Sequence, residues 1–146
     1  MGTGKTETVK DLSRMLGKTC YMLNCSSNLE YTSALRFFKG LASTGFWVCF
    51  DEFNRMDPHM ISTLSQVIIS IQSAIRRRSP TVVIENCKLS IKNDCGIFIT
   101  LNPKYSGRHD VPYNLRSLFR QFAMVVPDLS HITEILLYSA GFEEAQ

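Results

Sequence analysis

Met1-Gly2-Thr3-Gly4-Lys5-Thr6-Glu7-Thr8 is the stretch on which the reading of this 146-residue chain turns. Gly4-Lys5-Thr6 complete the second half of the pattern G-x-x-x-x-G-K-[ST], a loop whose backbone amides cradle phosphate groups. The first glycine of that pattern, and the strand that feeds such a loop, are expected before Met1. Gly2 and Gly4 let the main chain approach phosphate oxygens closely. A helix starting near Lys5 aims free amides and the positive end of its dipole at the same anion. Lys5 then reaches the terminal phosphates and Thr6 holds Mg²⁺ through its hydroxyl. The candidate nucleotide-binding residues are therefore Gly2, Thr3, Gly4, Lys5, Thr6 and Glu7. Alone, G-x-G-K-T is a weak pattern that an ordinary glycine turn also satisfies.

Support comes from Phe46-Trp47-Val48-Cys49-Phe50, an unbroken apolar run that ends in Asp51-Glu52, with Asp51 46 positions after Lys5. A run without alternation suits a strand buried on both faces of a parallel sheet. An acid at the carboxyl end of such a strand, beside a phosphate loop, can bind the magnesium shell. A second acid next to it can polarise a water for in-line attack on a γ-phosphate. Asp51 is thus the candidate metal-side carboxylate and Glu52 the candidate general base; the alternative is an acidic strand end facing solvent. Asn102 follows another apolar run, 96–101. An amide there can donate to the γ-phosphate and orient the attacking water, although Asn102-Pro103 taken alone reads as a turn.

The rest of the chain alternates between the two periodicities. Helices are expected over 6–16, ended by Gly17, and over 31–42, carrying Leu35, Phe38 and Leu41. A third begins near Pro58 and places Ile61, Leu64, Ile68, Ile71 and Ile75 on one face. Cys20 to Cys25 reads as a short strand, and Ser26 to Asn28 as a polar turn. Thr81–Ile84 and Lys88–Ile91 flank Glu85-Asn86-Cys87 as a hairpin. A short helix over 114–119, a last strand over Ala123–Val126 and a final helix capped by Asp128 close the pattern. Strands alternating with helices imply a three-layer α/β/α fold around a parallel sheet.

Hydrophobic residues make up 45% and charged residues 20% of the chain, ordinary values for a globular core. A net charge of +3 is too small to argue for nucleic acid or an anionic membrane as partner. Arg76-Arg77-Arg78 is the only dense basic run; it suits a solvated helix end, or contact with a phosphate or an acidic partner. Cys20, Cys25, Cys49, Cys87 and Cys95 are odd in number and show no C-x-x-C spacing, which points to reduced thiols in a cytosolic protein rather than a zinc site. No apolar stretch approaches the roughly 20 residues of a membrane span.

Lys5-Thr6, Asp51-Glu52 and Asn102 in this order resemble an AAA+ ATPase of the P-loop class. Longer segments narrow the resemblance: Gly2 to Leu12, Phe37-Phe-Lys-Gly-Leu-Ala42, Phe50-Asp-Glu-Phe-Asn-Arg55, Ile97-Phe-Ile-Thr-Leu-Asn-Pro103 and Leu136-Leu-Tyr-Ser-Ala-Gly-Phe142 look like a dynein heavy chain. They are most similar to its first AAA+ module, the main hydrolysis site of the motor, over essentially the whole chain. The resemblance implies the roles argued above and ATP with Mg²⁺ as ligands. It adds Arg120, an arginine before the last strand that can act in trans as an arginine finger in a neighbouring module, or serve as a structural interface arginine. Arg108 is a second interface candidate. The hairpin near 81–91 resembles an insert that touches neighbouring elements as the ring rearranges.

Further implications follow from the resemblance. Residues 1–146 correspond to a partial large subdomain, without its central strand and without the C-terminal helical lid. The implied partners are the other AAA+ modules and the linker, dynein intermediate and light chains, and microtubules through a stalk outside this stretch; nucleic acid and membrane are not expected. The implied location is cytoplasm and cytoskeleton, with cilium or flagellum axoneme favoured because heavy-chain variety is concentrated there. Departures from the family pattern are Tyr113, where an acid is usual, and Gln121, where a proline is usual. Two other readings stand beside this one. A non-catalytic, truncated AAA+ piece would act by protein–protein contact, with two exposed sheet edges that predict low solubility when it is expressed alone. A different AAA+ machine, such as a helicase loader or a protein remodeller, would reveal itself by salt-sensitive DNA binding.

Overall fold

The computed structural model describes residues 2–25, 30–102, 109–126 and 128–142. After the glycine loop the chain enters helix α1 (Lys5–Met15), strand β1 (Cys20–Asn24) and helix α2 (Tyr31–Thr44). Strand β2 (Trp47–Asp51) and a single 3-10 turn (Phe53–Arg55) lead to the long helix α3 (Pro58–Arg76). The hairpin strands β3 (Thr81–Ile84) and β4 (Cys87–Ser90), strand β5 (Gly96–Ile99), the short helix α4 (Tyr113–Arg116) and helix α5 (Leu129–Ser139) follow.

Strands β1, β2 and β5 pair in parallel, with β2 in the middle. Trp47 stands opposite Cys20 on one side and Gly96 on the other. Val48, Cys49 and Phe50 are wholly buried, as an apolar run without alternation requires. Successive strand side chains point to opposite faces. Val48 and Phe50 join Phe38 and Leu41 of α2 and Ile61, Leu64, Ile68 and Ile71 of α3 in one core, whereas Cys49 faces the side where α1 and its Lys10 lie. The sheet therefore lies between α1 and the α2–α3 pair, the expected three-layer α/β/α arrangement.

Local chemistry sets the element ends. Helix α2 stops at Gly45, whose φ of 76° and N–H bond to the Leu41 carbonyl at 3.1 Å form a left-handed cap. Helix α3 begins with Asp57, whose carboxylate accepts from the His59 N–H at 2.8 Å, and with Pro58 in the first turn. Glu85 and Asn86 both have positive φ, 43° and 62°, as a two-residue type I′ hairpin turn demands. The Tyr31 hydroxyl donates to the Glu85 carboxylate and ties the hairpin to α2. Arg76, Arg77 and Arg78 are exposed at the end of α3.

Two expectations need correction. The strand over Ala123–Val126 does not form: residues 120–126 carry no regular structure, and Val125 is 88% exposed. Apolar residues make a strand only when a neighbour supplies the hydrogen bonds. Among the described residues no strand lies beside 123–126 to supply them: the parallel sheet consists of β1, β2 and β5. Helix α5 does form, and Asp128 caps it by accepting from the Ser130 N–H at 3.0 Å, but none of its residues is buried. The helix expected over 114–119 is shorter, spanning Tyr113–Arg116. The expected turn Ser26 to Asn28, together with Pro103, Arg108 and Pro127, lies outside the described residues.

Candidate functional site

Gly4 caps α1 with φ 73° and Gly2 precedes it with φ 80°. Neither has any heavy atom within 4 Å of where a Cβ would stand, so the main chain is open on that side. The first intrahelical bond runs from the Thr8 N–H to the Gly4 carbonyl at 2.9 Å. The amides of Lys5, Thr6 and Glu7 precede that bond and point out of the helix N-terminus, where an anion is favoured. Lys5 Nζ donates to Thr3 Oγ1 at 2.8 Å, beside the same loop. The Glu7 side chain turns the other way: it is exposed and pairs with Lys10 Nζ at 2.6 Å, leaving only its backbone amide at the site.

The loop meets the acidic strand end directly. Thr6 Oγ1 donates to Asp51 Oδ1 at 2.6 Å. Thr100 Oγ1 donates to the same oxygen, also at 2.6 Å. Glu52 sits just past β2 with φ 54°, a left-handed conformation that L side chains seldom adopt. Its carboxylate is held at both oxygens: Asn102 Nδ2 donates to Oε1 at 2.8 Å and Arg55 Nη1 lies 3.0 Å from Oε2. The Glu52 side chain is only 15% exposed. Behind it, Asn54 Nδ2 donates to the Asn102 carbonyl at 3.0 Å and fixes the main chain at the end of the β5 segment. Burial, with the charge of Asp51 as a lesser cause, pushes the thiols of Cys25 and Cys49 up to about 12, so both are neutral neighbours of the site.

Thr6, Asp51, Glu52 and Asn102 are thus brought into one connected set. A hydroxyl and a carboxylate oxygen side by side can hold a hard divalent cation. A half-buried carboxylate oriented by an amide can take a proton from water. Arg120 stands apart from this set: it is exposed, and its guanidinium lies 5.3 Å from the centre of the Phe122 ring. Arg108 is outside the described residues. Arg55, Asn54 and Thr100 were not singled out from the sequence. Arg55 and Asn54 follow the acid pair directly, and Thr100 is a buried hydroxyl closing an apolar strand two residues before Asn102.

Comparison with known proteins identifies the family. Residues 1–146 match the family model described as the hydrolytic ATP binding site of dynein motor region. The chain is 51% identical over 145 residues to dynein axonemal heavy chain 3 from Homo sapiens, covering 99% of this chain and 4% of that one. It is 49% identical over 144 residues to dynein axonemal heavy chain 1 from Homo sapiens, covering 99% and 3%. Against dynein axonemal heavy chain 12 from Mus musculus it is 48% identical over 145 residues, covering 99% and 5%.

Proposed function

The chain belongs to the dynein heavy-chain family, in the hydrolytic ATP-binding region of the motor, and on that premise we propose that it binds and hydrolyses ATP with Mg²⁺ as part of the first AAA+ module of a heavy chain. The observation that carries this reading is the 2.6 Å hydrogen bond from Thr6 to Asp51, which sets the glycine loop against the acid pair. The donor set fits the ion, because a threonine hydroxyl and an aspartate oxygen are the hard oxygen ligands that Mg²⁺ prefers. The open main chain over Gly2 and Gly4 fits a phosphate.

Each residue then has a task. Gly2, Thr3 and Gly4 and the amides of Lys5, Thr6 and Glu7 wrap the phosphates, and Lys5 adds a positive charge at their outer end. Thr6 and Asp51 hold Mg²⁺, which when bound neutralises phosphate charge. Glu52 accepts the proton of the attacking water on its carboxylate, and Asn102 orients both that carboxylate and the water. Arg120, exposed on the surface, reaches a neighbouring module in trans.

The chain covers only 4% of the length of its human heavy-chain 3 relative, so properties of the whole motor belong to this proposal as well. Residues 1–146 form part of the large subdomain of the module, with the hairpin near 81–91 as its insert. The partners are the other modules, the linker, intermediate and light chains, and microtubules. The location is the cytoskeleton of an axoneme, supported by the axonemal names of the relatives.

The test is nucleotide binding and turnover measured on the full heavy chain that carries this region. Lys5→Ala is expected to weaken Mg²⁺–ATP binding at this site, the loss of a charge-assisted contact being about 1.5–3 kcal/mol. Glu52→Gln is expected to keep binding and to slow hydrolysis by roughly 10²–10⁴-fold. Unchanged turnover in both variants would overturn the reading.

A further inference from the structure

We propose that Thr100 is a positioning residue for the acid pair: it clamps four consecutive residues of the strand end and so holds Asp51 and Glu52 in their working orientations. The proposal rests on the roles given to those two acids above.

The clamp is read from four hydrogen bonds. The Thr100 N–H donates to the Phe50 carbonyl at 2.9 Å, and the Phe53 N–H donates to the Thr100 carbonyl at 3.1 Å. Between them the hydroxyl works in both senses. It donates to Asp51 Oδ1 at 2.6 Å and accepts from the Glu52 N–H at 3.0 Å. A threonine hydroxyl has one proton and two acceptor positions, and both kinds are engaged here. Thr100 is 4% exposed, so water does not readily replace these bonds.

The consequence for the site is geometric. Asp51 Oδ1 receives two hydroxyls, one from Thr6 and one from Thr100. Its carboxylate is thereby pinned from the loop side and from the β5 side at once, and its second oxygen is left with a defined direction. Glu52 must turn into a left-handed backbone, φ 54° and ψ 45°, for its side chain to meet Asn102 rather than continue the strand. The bond from its N–H to Thr100 holds that turn. Valine has nearly the shape of threonine but lacks the hydroxyl, so it would remove one of the two hydroxyl bonds on Asp51 and the bond that holds the Glu52 N–H, while filling the same space. Backbone bonds alone would keep β2 and β5 together, which separates positioning from mere stability.

Thr100→Val and Thr100→Ser in the full heavy chain test this, with Glu52→Gln alongside. Thr100→Val is expected to lower kcat about 100-fold, the scale of misplacing a catalytic group by about 1 Å. The apparent affinity for ATP should change much less, and more Mg²⁺ should be needed for half-maximal turnover. Thr100→Ser keeps the hydroxyl and is expected to stay within about threefold of wild-type kcat, a difference of only ~0.65 kcal/mol. A Val variant that binds nucleotide and turns over like wild type overturns the proposal, as does a Ser variant as slow as Val. ATP binding on the same samples shows whether the Val variant has folded. If it has not, the Ser variant decides, because a folded Ser variant with a tenfold or larger loss of kcat would overturn the clamp. If Glu52→Gln hydrolyses normally, the assignment of the base itself has failed. If only Glu52→Gln is inactive, the assignment stands and the clamp falls.

Discussion

Asn102 Nδ2 donates to Glu52 Oε1 at 2.8 Å across 50 positions of sequence. The contact exists because β2 and β5 are parallel neighbours, with Phe50 opposite Ile99, so that their carboxyl ends emerge side by side. Asn54 reinforces it by donating to the Asn102 carbonyl at 3.0 Å. On the proposed role of Glu52 as the base, Asn102→Ala is expected to lower turnover by about tenfold or more with ATP affinity little changed, since an oriented base is worth roughly 10²–10⁴ in total. Steady-state kinetics that separate kcat from KM check this.

Phe50 is wholly buried in the core between the sheet and α2. Its ring stacks on Phe38 with centroids 5.1 Å apart and meets Phe53 edge-on at 5.9 Å. Phe50→Ala removes these contacts and an edge-on one with Phe37 at 6.4 Å, and leaves a cavity against the sheet, at a cost of about 3–5 kcal/mol. The denaturant midpoint of the protein should fall accordingly, with no change expected at the exposed Leu129→Ala control.

Gly96 admits no side chain. A Cβ there would stand 2.8 Å from Trp47 Cδ1, and Trp47 is held in place by its Nε1–H donating to the Asp94 carbonyl at 3.1 Å. Gly96→Ala is expected to push the indole off β5 and to destabilise by about 1–3 kcal/mol. Trp47 is the single tryptophan of the chain, so a shift of its fluorescence in a protein holding only this region reports the displacement together with the lower melting temperature.

Helix α5 carries a pH signature. The Asp128 carboxyl is held below its ordinary value of 3.8, first by the Ser130 hydroxyl and then by the Ser130 N–H. A depressed folded value means that the cap contributes above the unfolded pKa and is lost as pH falls through the folded one. The protection of the Ser130 amide, taken as the intrinsic exchange rate at each pH relative to the observed one, should therefore fall on acidification below about pH 4, given the usual aspartate value. Asp128→Asn should remove that acid step.

The thiols should react in order of burial. Cys87 is exposed, while Cys25 and Cys49 are buried and pushed from 9.0 up to about 12. Alkylation near pH 8 is expected to label Cys87 in the native protein and Cys25 and Cys49 only after unfolding. The same shift favours the unfolded chain as pH rises from 9.0 towards 12, because unfolded thiols ionise there and folded ones do not. A falling melting temperature across that range, reduced in a Cys25→Ala, Cys49→Ala double variant, checks the sign.

How much of this was readable beforehand depends on how local each signal is. The apolar run ending in Asp51-Glu52 marked both β2, the middle of the three described parallel strands, and the acid pair, since a strand buried on both faces has no polar alternation. The spacing of Ile61, Leu64, Ile68 and Ile71 marked α3, because four such residues share one helical face. Asp128 was readable as a cap from its place before an apolar helix. Ala123–Val126 misled for the converse reason: its residues favour a strand, but a strand has no existence without a neighbour to pair with.

By itself, then, the sequence determined the order and type of most elements, the glycine loop, the acid pair and Asn102, because each is written in residues close together or in a short repeating pattern. Only the tertiary structure decided which side chains meet. Thr100 appears in the sequence as the polar end of an apolar strand, and nothing nearby assigns its hydroxyl a partner. Its contacts with Asp51 and Glu52 span 49 and 48 positions and arise from the parallel register of β2 and β5. That register is fixed by burial of whole strand faces against α2 and α3, a property of the assembled core and not of any segment within it.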